Sequence, residues 1–391
     1  MEKFLFYLVL DLHYFFIDSF EIYIQAMATI LVTGGTGFIG KSIVKLLCQL
    51  GYKVRVSTRN LKQIKALYEL SCEFLAGDLS DLSFARKCCS GVDAVIHLVG
   101  IIVEQGQDTF KKVHVQITKN MIQASKENGV KRFLHMSALG TRPNARSRYH
   151  QTKWTAEELV RNSELDWTIF QPSVVFGIGD DFTKRLYKML FFQNNPLLLF
   201  PLIDGGKSKL QPIFVENVAE AFVRAIPNPN TFHKTYTLTG PEVYSLKEIL
   251  LLILDQGQIP YKIESFPFYT LSRIAMALLS FLVYPLIGLK ALIEHWHGDF
   301  WAPYLLSWLF LTLLFRKSIE KRLLFNVPSA VALPLVRIVE KLIKNPPITK
   351  EMLVMLQEDS IADSSETIKE LDLQLVSFTT VLPDIINAMA I

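Results

Sequence analysis

The sequence predicts an α/β fold with a doubly wound parallel sheet. From Met27 onward, short β-branched runs alternate with longer amphipathic runs, which is typical of strands joined by crossover helices. Turn-forming residues, namely Gly, Asp and Asn-Gly, stand at the ends of these runs. With 391 residues, of which 50% are apolar and 20% charged, the chain can bury a sizeable core and falls among folded proteins.

The predicted strands can be placed in order along the chain. They are TILVT, KVRVST, CEFLAGD, DAVIHLVG, RFLHMSA and DWTIFQPSVVFG. The helix FIGKSIVKLLCQLG follows the first strand and is closed by Gly51. Residues from about Asp180 to Gln258, including LQPIFVENVAEAFVRAI and TYTLTG, form shorter mixed elements, which we expect over the carboxyl ends of the strands.

The charge balance argues against nucleic-acid binding. Lys and Arg total 41 against 37 acidic residues, and the formal net charge of +4 is scattered along the chain. Such a balance suits an acidic cofactor and an anionic lipid equally well. No metal site is predicted, and the cysteines, which lack C-x-x-C spacing, are expected to be reduced. They are Cys48, Cys72, Cys88 and Cys89.

A glycine-rich loop, VTGGTGFIG, lies between the first predicted strand and helix. Its three spaced glycines would allow a sharp turn, close approach of a pyrophosphate, and tight packing of helix on strand. The phosphates would lie on N–H groups at the helix start, where the helix dipole favours negative charge. The loop therefore predicts dinucleotide binding, the alternative being a structural turn without a ligand. The predicted contacts are Gly34, Thr36, Gly37, Phe38, Ile39 and Gly40.

The residues after the second strand bear on which dinucleotide binds. An acidic residue there would accept hydrogen bonds from the ribose 2′-hydroxyl of NAD, but this chain has Thr58 and Arg59. Because Arg59 can pair with a 2′-phosphate, NADP(H) is the preferred cofactor, with NAD(H) as the alternative. Further cofactor contacts are predicted where the third and fourth strands end. They are Asp78, Leu79, Leu98, Val99 and Gly100.

A second group of candidate residues follows the fifth strand. Tyr149 and Lys153 are four residues apart, so on a helix both side chains can point into one cleft. An ammonium beside a phenol lowers the phenol pKa, which suits a general acid or base near neutral pH. Ser137, at the carboxyl end of the fifth strand, could hydrogen-bond the same substrate oxygen.

Taken together, these motifs resemble the extended or atypical short-chain dehydrogenase/reductase superfamily. The resemblance rests on TGGTGFIG, GDLSD, VIHLVG, Ser137, YHQTK and QPSVVFGIGD. From Met27 to about Gln258, and again in NPPITKEMLVMLQED, the chain is most similar to the NADPH-binding accessory subunit of respiratory complex I and its bacterial relatives. The resemblance implies that Ser137, Tyr149 and Lys153 occupy catalytic positions, and that Tyr149 and Lys153 also contact the cofactor.

The resemblance leaves two functions open. One is a membrane-associated NADP(H)-binding accessory or assembly-type protein whose nucleotide is structural. The other is an active NADPH-dependent reductase, epimerase or dehydratase of a lipid-like or nucleotide-sugar substrate, with Tyr149 exchanging the proton. Gln171 stands where many active members have arginine, which puts a contact near the nicotinamide or substrate in doubt. Glu157 and Glu158 are expected to be solvated.

Composition and motifs divide the chain into five predicted segments. Residues 1–26 are an apolar extension, either an interfacial helix or translated sequence upstream of the true start. A Rossmann NAD(P)-binding core takes 27–185, a smaller substrate-side region 186–265, and a docking region 326–391. In 266–325, two uncharged stretches with flanking Trp and basic residues favour a membrane-associated hairpin over buried core helices. The expected partners are a dinucleotide, membrane lipid and a respiratory-chain complex, with the main domain on the cytoplasmic or matrix-equivalent side.

Overall fold

The computed structural model describes residues 28–191, 199–264, 322–342, 346 and 348–390. It divides into two units, each described by itself below. Of the described residues, the first takes 28–182, 208–244 and 348–385. The second takes 183–191, 199–207, 245–264, 322–342, 346 and 386–390.

The elements are numbered in chain order. The strands are β1 Thr29–Thr33, β2 Lys53–Thr58, β3 Cys72–Ala76, β4 Ala94–His97, β5 Arg132–Met136, β6 Asp166–Pro172, β7 Val175–Phe176, β8 Leu199–Ile203, β9 Lys209–Leu210, β10 Ile213–Phe214, β11 Lys234–Leu238, β12 Tyr244–Ser245, β13 Tyr261–Glu264 and β14 Arg322–Val327. The helices are α1 Phe38–Gln49, α2 Leu82–Cys89, α3 Ile117–Glu127, α4 Arg148–Arg161, α5 Asp181–Phe191, α6 Val215–Ala225, α7 Leu246–Gln256, α8 Ser329–Leu342, α9 Lys350–Leu356, α10 Ser365–Glu370 and α11 Phe378–Ala390.

A seven-stranded parallel sheet forms the centre of the first unit, in the order β3-β2-β1-β4-β5-β6-β11. The order reverses direction between β1 and β4, which makes the sheet doubly wound and places a ligand-binding crevice at the carboxyl ends of these strands. The predicted α/β class is confirmed. Strand β11 is a difference from the prediction: its residues join the sheet as an edge strand beside β6 rather than lying over the strand ends.

Apolar cores cover both faces of this sheet. On one face, Ile30 and Val32 pack in a cluster that includes Val44 of α1 and Phe222 of α6. On the other face, the buried side chains come from β1, β4 and β5 and from α2, α3 and α4. They include Leu31, Val95, Phe133, Cys88, Met121 and Val160. Helix α6 covers this first face of the sheet, because its apolar side chains, Phe222 among them, pack in the same cluster as Ile30 and Val32.

The second unit contains a smaller parallel sheet in the order β13-β14-β8. Ser245 is the N-cap residue of helix α7 and forms a reciprocal capping box with Glu248.

Two predicted segments lie largely beyond what the structure describes. Residues 1–26 are outside the described residues, and so is the apolar segment 266–325 except for 322–325, which belong to β14. Within the described ranges, no helix is long and apolar enough to cross a bilayer.

Candidate functional site

The glycine loop connects the carboxyl end of β1 to the first turn of α1. Gly34 has a φ of +74°, a backbone conformation that favours glycine, and its carbonyl oxygen accepts a hydrogen bond from the Gly37 N–H at 2.9 Å. A Cβ at Gly40 would lie 2.3 Å from the Gly34 oxygen and 2.6 Å from the Gly35 Cα. The helix can approach the loop this closely only because residue 40 is glycine.

The start of α1 presents backbone donors to this loop. Gly37 is the N-cap residue and no side chain caps the helix. The N–H groups of a first helical turn have no acceptor within the helix, and they lie at the positive end of its dipole. A phosphate is the kind of group that such a helix start binds. The residues present therefore fit a dinucleotide.

Arg59, after β2, is exposed but already paired. Its Nη1 donates to the Asp108 carboxylate at 2.6 Å, while 57% of the Arg59 side chain is exposed. Asp108 belongs to the loop that follows β4. Thr58 is buried, and its hydroxyl donates to the Asn60 carbonyl at 3.2 Å. A 2′-phosphate on this side of the site would share Arg59 with Asp108.

The other predicted cofactor contacts follow β3 and β4. Asp78 accepts a hydrogen bond from the Ser80 N–H at 2.9 Å, and Leu79 and Leu98 are buried. Val99 is partly buried, while Gly100 is exposed. A Cβ at Gly100 would lie 3.1 Å from Lys153 Nζ, so the end of β4 and the lysine of α4 come together.

Tyr149 and Lys153 are both buried on α4, at 9% and 3% exposure. Lys153 Nζ donates to the Met136 carbonyl at 2.9 Å, and burial lowers the pKa of Lys153 to about 8. Burial also raises the pKa of Tyr149 to about 12. This differs from the expected lowering by the neighbouring ammonium, because removing the phenol from water penalises the phenolate.

Ser137 lies immediately after β5, beside the carbonyl that holds Lys153. Its N–H donates to the Phe170 carbonyl at 2.7 Å, and its Oγ donates to Thr141 Oγ1 at 3.3 Å. The Ser137 side chain is buried. The strand end thus brings Ser137 and Lys153 into one neighbourhood, as their sequence positions predicted.

Sequence reasoning missed His114, which packs against Tyr149 with ring centroids 5.4 Å apart and nearly perpendicular planes. His114 belongs to the π-helical turn Lys111–Gln116, and its Nδ1 lies 2.9 Å from Thr152 Oγ1. Burial lowers the pKa of His114 to about 2, so the imidazole is neutral. No local motif marks this residue, because the contact is made between distant parts of the chain.

Glu157 is fully buried, so the expectation that it is solvated is wrong. Its two carboxylate oxygens accept hydrogen bonds from Gln171 Nε2 at 2.8 Å and from Arg161 Nη2 at 2.5 Å. Gln171 therefore donates a hydrogen bond to a buried carboxylate that lies one helical turn beyond Lys153. Glu158 is 45% exposed and also pairs with Arg161.

The C-terminal segment Thr349–Ser364 is bonded to the loops that follow β5, β6 and β11. Glu351 accepts a hydrogen bond from the Arg148 N–H at 2.8 Å, next to Tyr149. Glu358 pairs with Arg142 at 2.9 Å. Ser173 Oγ donates to the Ser360 carbonyl at 2.9 Å. The segment Thr349–Ser364 thus bonds to the loops at the β5 and β6 end, whereas the glycine loop lies at the β1 end.

The sheet order and the glycine loop are those of a Rossmann-type fold. The chain belongs to the NmrA-like family, whose model matches residues 26–279. This agrees with the resemblance found in the sequence.

Several relatives of this chain are mitochondrial proteins named as subunits of NADH dehydrogenase. The chain is 31% identical over 254 residues to NADH dehydrogenase (ubiquinone) 1 alpha subcomplex subunit 9, mitochondrial, of Rattus norvegicus, covering 62% of this chain and 66% of that protein. It is 30% identical over 233 residues to the protein of the same name in Arabidopsis thaliana, covering 57% and 56%. The chain thus spans just under two thirds of the first protein's length and little more than half of the second's. The predicted relation to the complex I subunit is confirmed.

A solved structure with the same fold is UDP-glucuronic acid 4-epimerase from Bacillus cereus, in complex with UDP-glucuronic acid and NAD. Its TM-score is 0.60 at 16% identity, and the match covers 93% of this chain and 99% of that one. At this identity the similarity supports the fold alone.

Proposed function

We propose that the protein binds NADP(H) at the glycine loop and retains it as a structural part of an accessory subunit of a respiratory complex. The observation that carries nucleotide binding is the approach of Gly40 to the Gly34 carbonyl, which leaves no room for a Cβ, at a helix start that no side chain caps. The relation to the mitochondrial subunits supports the assignment to a respiratory complex.

In this proposal the chain's own residues bind and orient the nucleotide. The pyrophosphate would be held by N–H groups at the start of α1, and the 2′-phosphate by Arg59. Lys153 would hold the nicotinamide ribose, as its relatives' motif implies. When bound, the nicotinamide would supply hydride chemistry, which the structural role leaves unused.

Two features of the site favour a nucleotide that does not turn over. The pKa of Tyr149 is about 12, far above the range in which a phenol exchanges protons readily at neutral pH. The tail carrying Glu351 and Glu358 is bonded beside Tyr149, where a substrate would approach from the carboxyl ends of β5 and β6.

The test is to purify the full-length protein in mild detergent without added nucleotide and to identify what is released on denaturation. We expect stoichiometric NADP(H), retained equally by Tyr149→Phe and by the control Tyr236→Phe, which removes another buried phenol hydroxyl. An empty site in correctly folded wild-type protein would refute the structural role.

The preference for NADP(H) rests on Arg59. We expect Arg59→Gln to weaken NADPH binding by about tenfold, the loss of one charge-assisted hydrogen bond, and to leave NADH binding unchanged. Asp108→Asn should strengthen NADPH binding, because Asp108 competes for the same guanidinium. Fluorescence titrations with both nucleotides measure this, and equal losses for NADH and NADPH in Arg59→Gln would contradict the preference.

Attachment to the membrane is proposed for residues 266–325, on the composition of the sequence. The full chain should remain in membranes after carbonate extraction. It should be released when residues 266–321 are replaced by a polar Gly/Ser linker, which keeps β14 and the connection between the parallel strands β13 and β14. Recovery of the intact chain in the soluble fraction would refute the attachment.

The second candidate function is an active NADPH-dependent reductase or epimerase. It is favoured by the position of Lys153, whose ammonium donates a hydrogen bond to the Met136 carbonyl, directly before Ser137. In that case, membrane extract should support NADPH consumption by the wild type, and Tyr149→Phe should abolish it without changing nucleotide affinity.

A further inference from the structure

Two cysteines from different elements of the nucleotide-binding unit lie in contact. Cys48 is in the last turn of α1 and Cys72 is the first residue of β3, and their sulfur atoms are 3.4 Å apart. Both residues are partly exposed. A disulfide needs a sulfur–sulfur distance of about 2.05 Å, so a movement of little more than 1 Å would join them.

We propose that Cys48 and Cys72 form a redox-active dithiol that closes to an intramolecular disulfide on reaction with a peroxide. The Cys48 thiolate attacks one peroxide oxygen, the O–O bond breaks, and Cys48 becomes a sulfenic acid while hydroxide leaves and takes up a proton. The Cys72 thiol then attacks the Cys48 sulfur and water leaves. Two thiols are oxidised, and one hydrogen peroxide is reduced to two water molecules.

The thiol contact also prepares Cys48 as the attacking group. A hydrogen bond from Cys72 lowers the pKa of Cys48, although burial opposes this, whereas the same bond raises the pKa of Cys72. A thiolate, rather than a thiol, reacts with peroxide, so the two cysteines have different roles.

The other cysteines provide an internal contrast. Cys88 and Cys89 are buried neighbours on α2, and burial raises their pKa values to about 12 and about 11. Buried thiols with raised pKa values remain protonated and inert. Oxidation should therefore be selective for the pair on α1 and β3.

The disulfide would secure an edge of the sheet. In the part of the chain that the structure describes, β3 pairs with β2 alone, so it lacks a partner on its other side. The bond would link β3 to α1 at the end of the helix opposite the glycine loop. The disulfide should thus make the unfolding of β3 less favourable and leave the affinity for the nucleotide unchanged.

Peptide mapping of the full-length protein tests the proposal. Trypsin separates Cys48 in 46–53, Cys72 in 66–86 and the other two cysteines in 88–111. After treatment with hydrogen peroxide and alkylation of remaining thiols, we expect a linked pair of 46–53 with 66–86 that dithiothreitol releases. We expect 88–111 to be alkylated on both cysteines.

Matched variants distinguish the roles. Cys88→Ser should form the linked peptides as the wild type does. Cys72→Ser, whose hydroxyl can still donate to Cys48, should leave Cys48 as a sulfenic acid that dimedone traps. Cys72→Ala removes the donor, so it should form this sulfenic acid more slowly. Full alkylation of both Cys48 and Cys72 after peroxide treatment, or a link that involves 88–111, would overturn the proposal.

Discussion

The glycines of the phosphate-binding loop differ in what a methyl group would disturb, which gives a sharp test. At Gly37, φ is −74°, allowed for any residue, and a Cβ would meet only the Gly34 oxygen, at 3.2 Å. At Gly40 the Cβ would meet three backbone atoms within 2.9 Å. Gly37→Ala should therefore leave the fold intact, whereas Gly40→Ala should damage it.

The magnitudes follow from these contacts. Ordinary van der Waals contact begins near 3.4 Å, so the Gly40 methyl would overlap by about 1 Å with backbone that cannot rotate away. Such overpacking costs about 1–3 kcal/mol of stability. At Gly37 the fold should lose less than about 1 kcal/mol, but a methyl at the pyrophosphate would break at least one charge-assisted hydrogen bond. This loss, about 1.5–3 kcal/mol, weakens binding about 10- to 150-fold.

Urea unfolding of the nucleotide-free protein and fluorescence titration with NADPH separate the two effects. The control is Gly129→Ala, because Gly129 has a φ of +73° with open space around it. It should lose about 1 kcal/mol of stability and bind NADPH normally. Wild-type NADPH affinity in Gly37→Ala would refute the assignment of the loop as the pyrophosphate site.

Three further substitutions test the buried polar groups. Burial lowers the pKa of His97 to about 3 and that of His135 well below its usual value. Below about pH 6.5 the unfolded state therefore binds more protons than the folded state, so the free energy of unfolding decreases as the pH is lowered. His135→Leu should remove one histidine's share of this acid loss, about 1.6 kcal/mol between pH 6.5 and 5 for an unfolded pKa of about 6.5. Urea unfolding at both pH values measures this, and an unchanged slope would contradict the account. Arg132→Gln should cost at least about 3 kcal/mol, because the buried Arg132 guanidinium lies within hydrogen-bond distance of five oxygen atoms, and a loss below about 1 kcal/mol would contradict this. Glu157→Gln should cost about 1–3 kcal/mol and lower the pKa of Lys153 further, a shift that lysine NMR titration can detect or exclude.

Most of the sheet could be predicted because its strands are continuous apolar runs. Ile30, Leu31 and Val32 are fully buried, as expected of a strand covered on both faces. The edge strand β11 could not be placed in the same way. Only Tyr236 and Leu238 of its five residues are buried, and such a half-polar pattern fits an edge strand and an isolated strand equally well.

The candidate site was predictable where its chemistry follows local spacing. The glycine loop and the helical pair Tyr149 and Lys153 depend on residues close in sequence. Contacts between distant elements gave no local signal. Glu157 looked like a solvated residue of a polar helix, but its carboxylate is buried because Gln171, from β6, and Arg161 satisfy it.

The carboxyl end of β1 differs from the carboxyl ends of β5 and β6 in the residues that could bind a nucleotide or a substrate. At the β1 end, the loop leaves backbone donors for a phosphate and excludes side chains at Gly40. At the β5 and β6 end, the phenol of Tyr149 is buried, with its pKa near 12, and the tail is bonded through Glu351 and Glu358. The contacts of Glu351 and Glu358 lie at the β5 and β6 end, and not at the glycine loop. Binding at the β1 end and catalysis at the β5 and β6 end thus depend on different residues, so Gly37→Ala and Tyr149→Phe test the two separately.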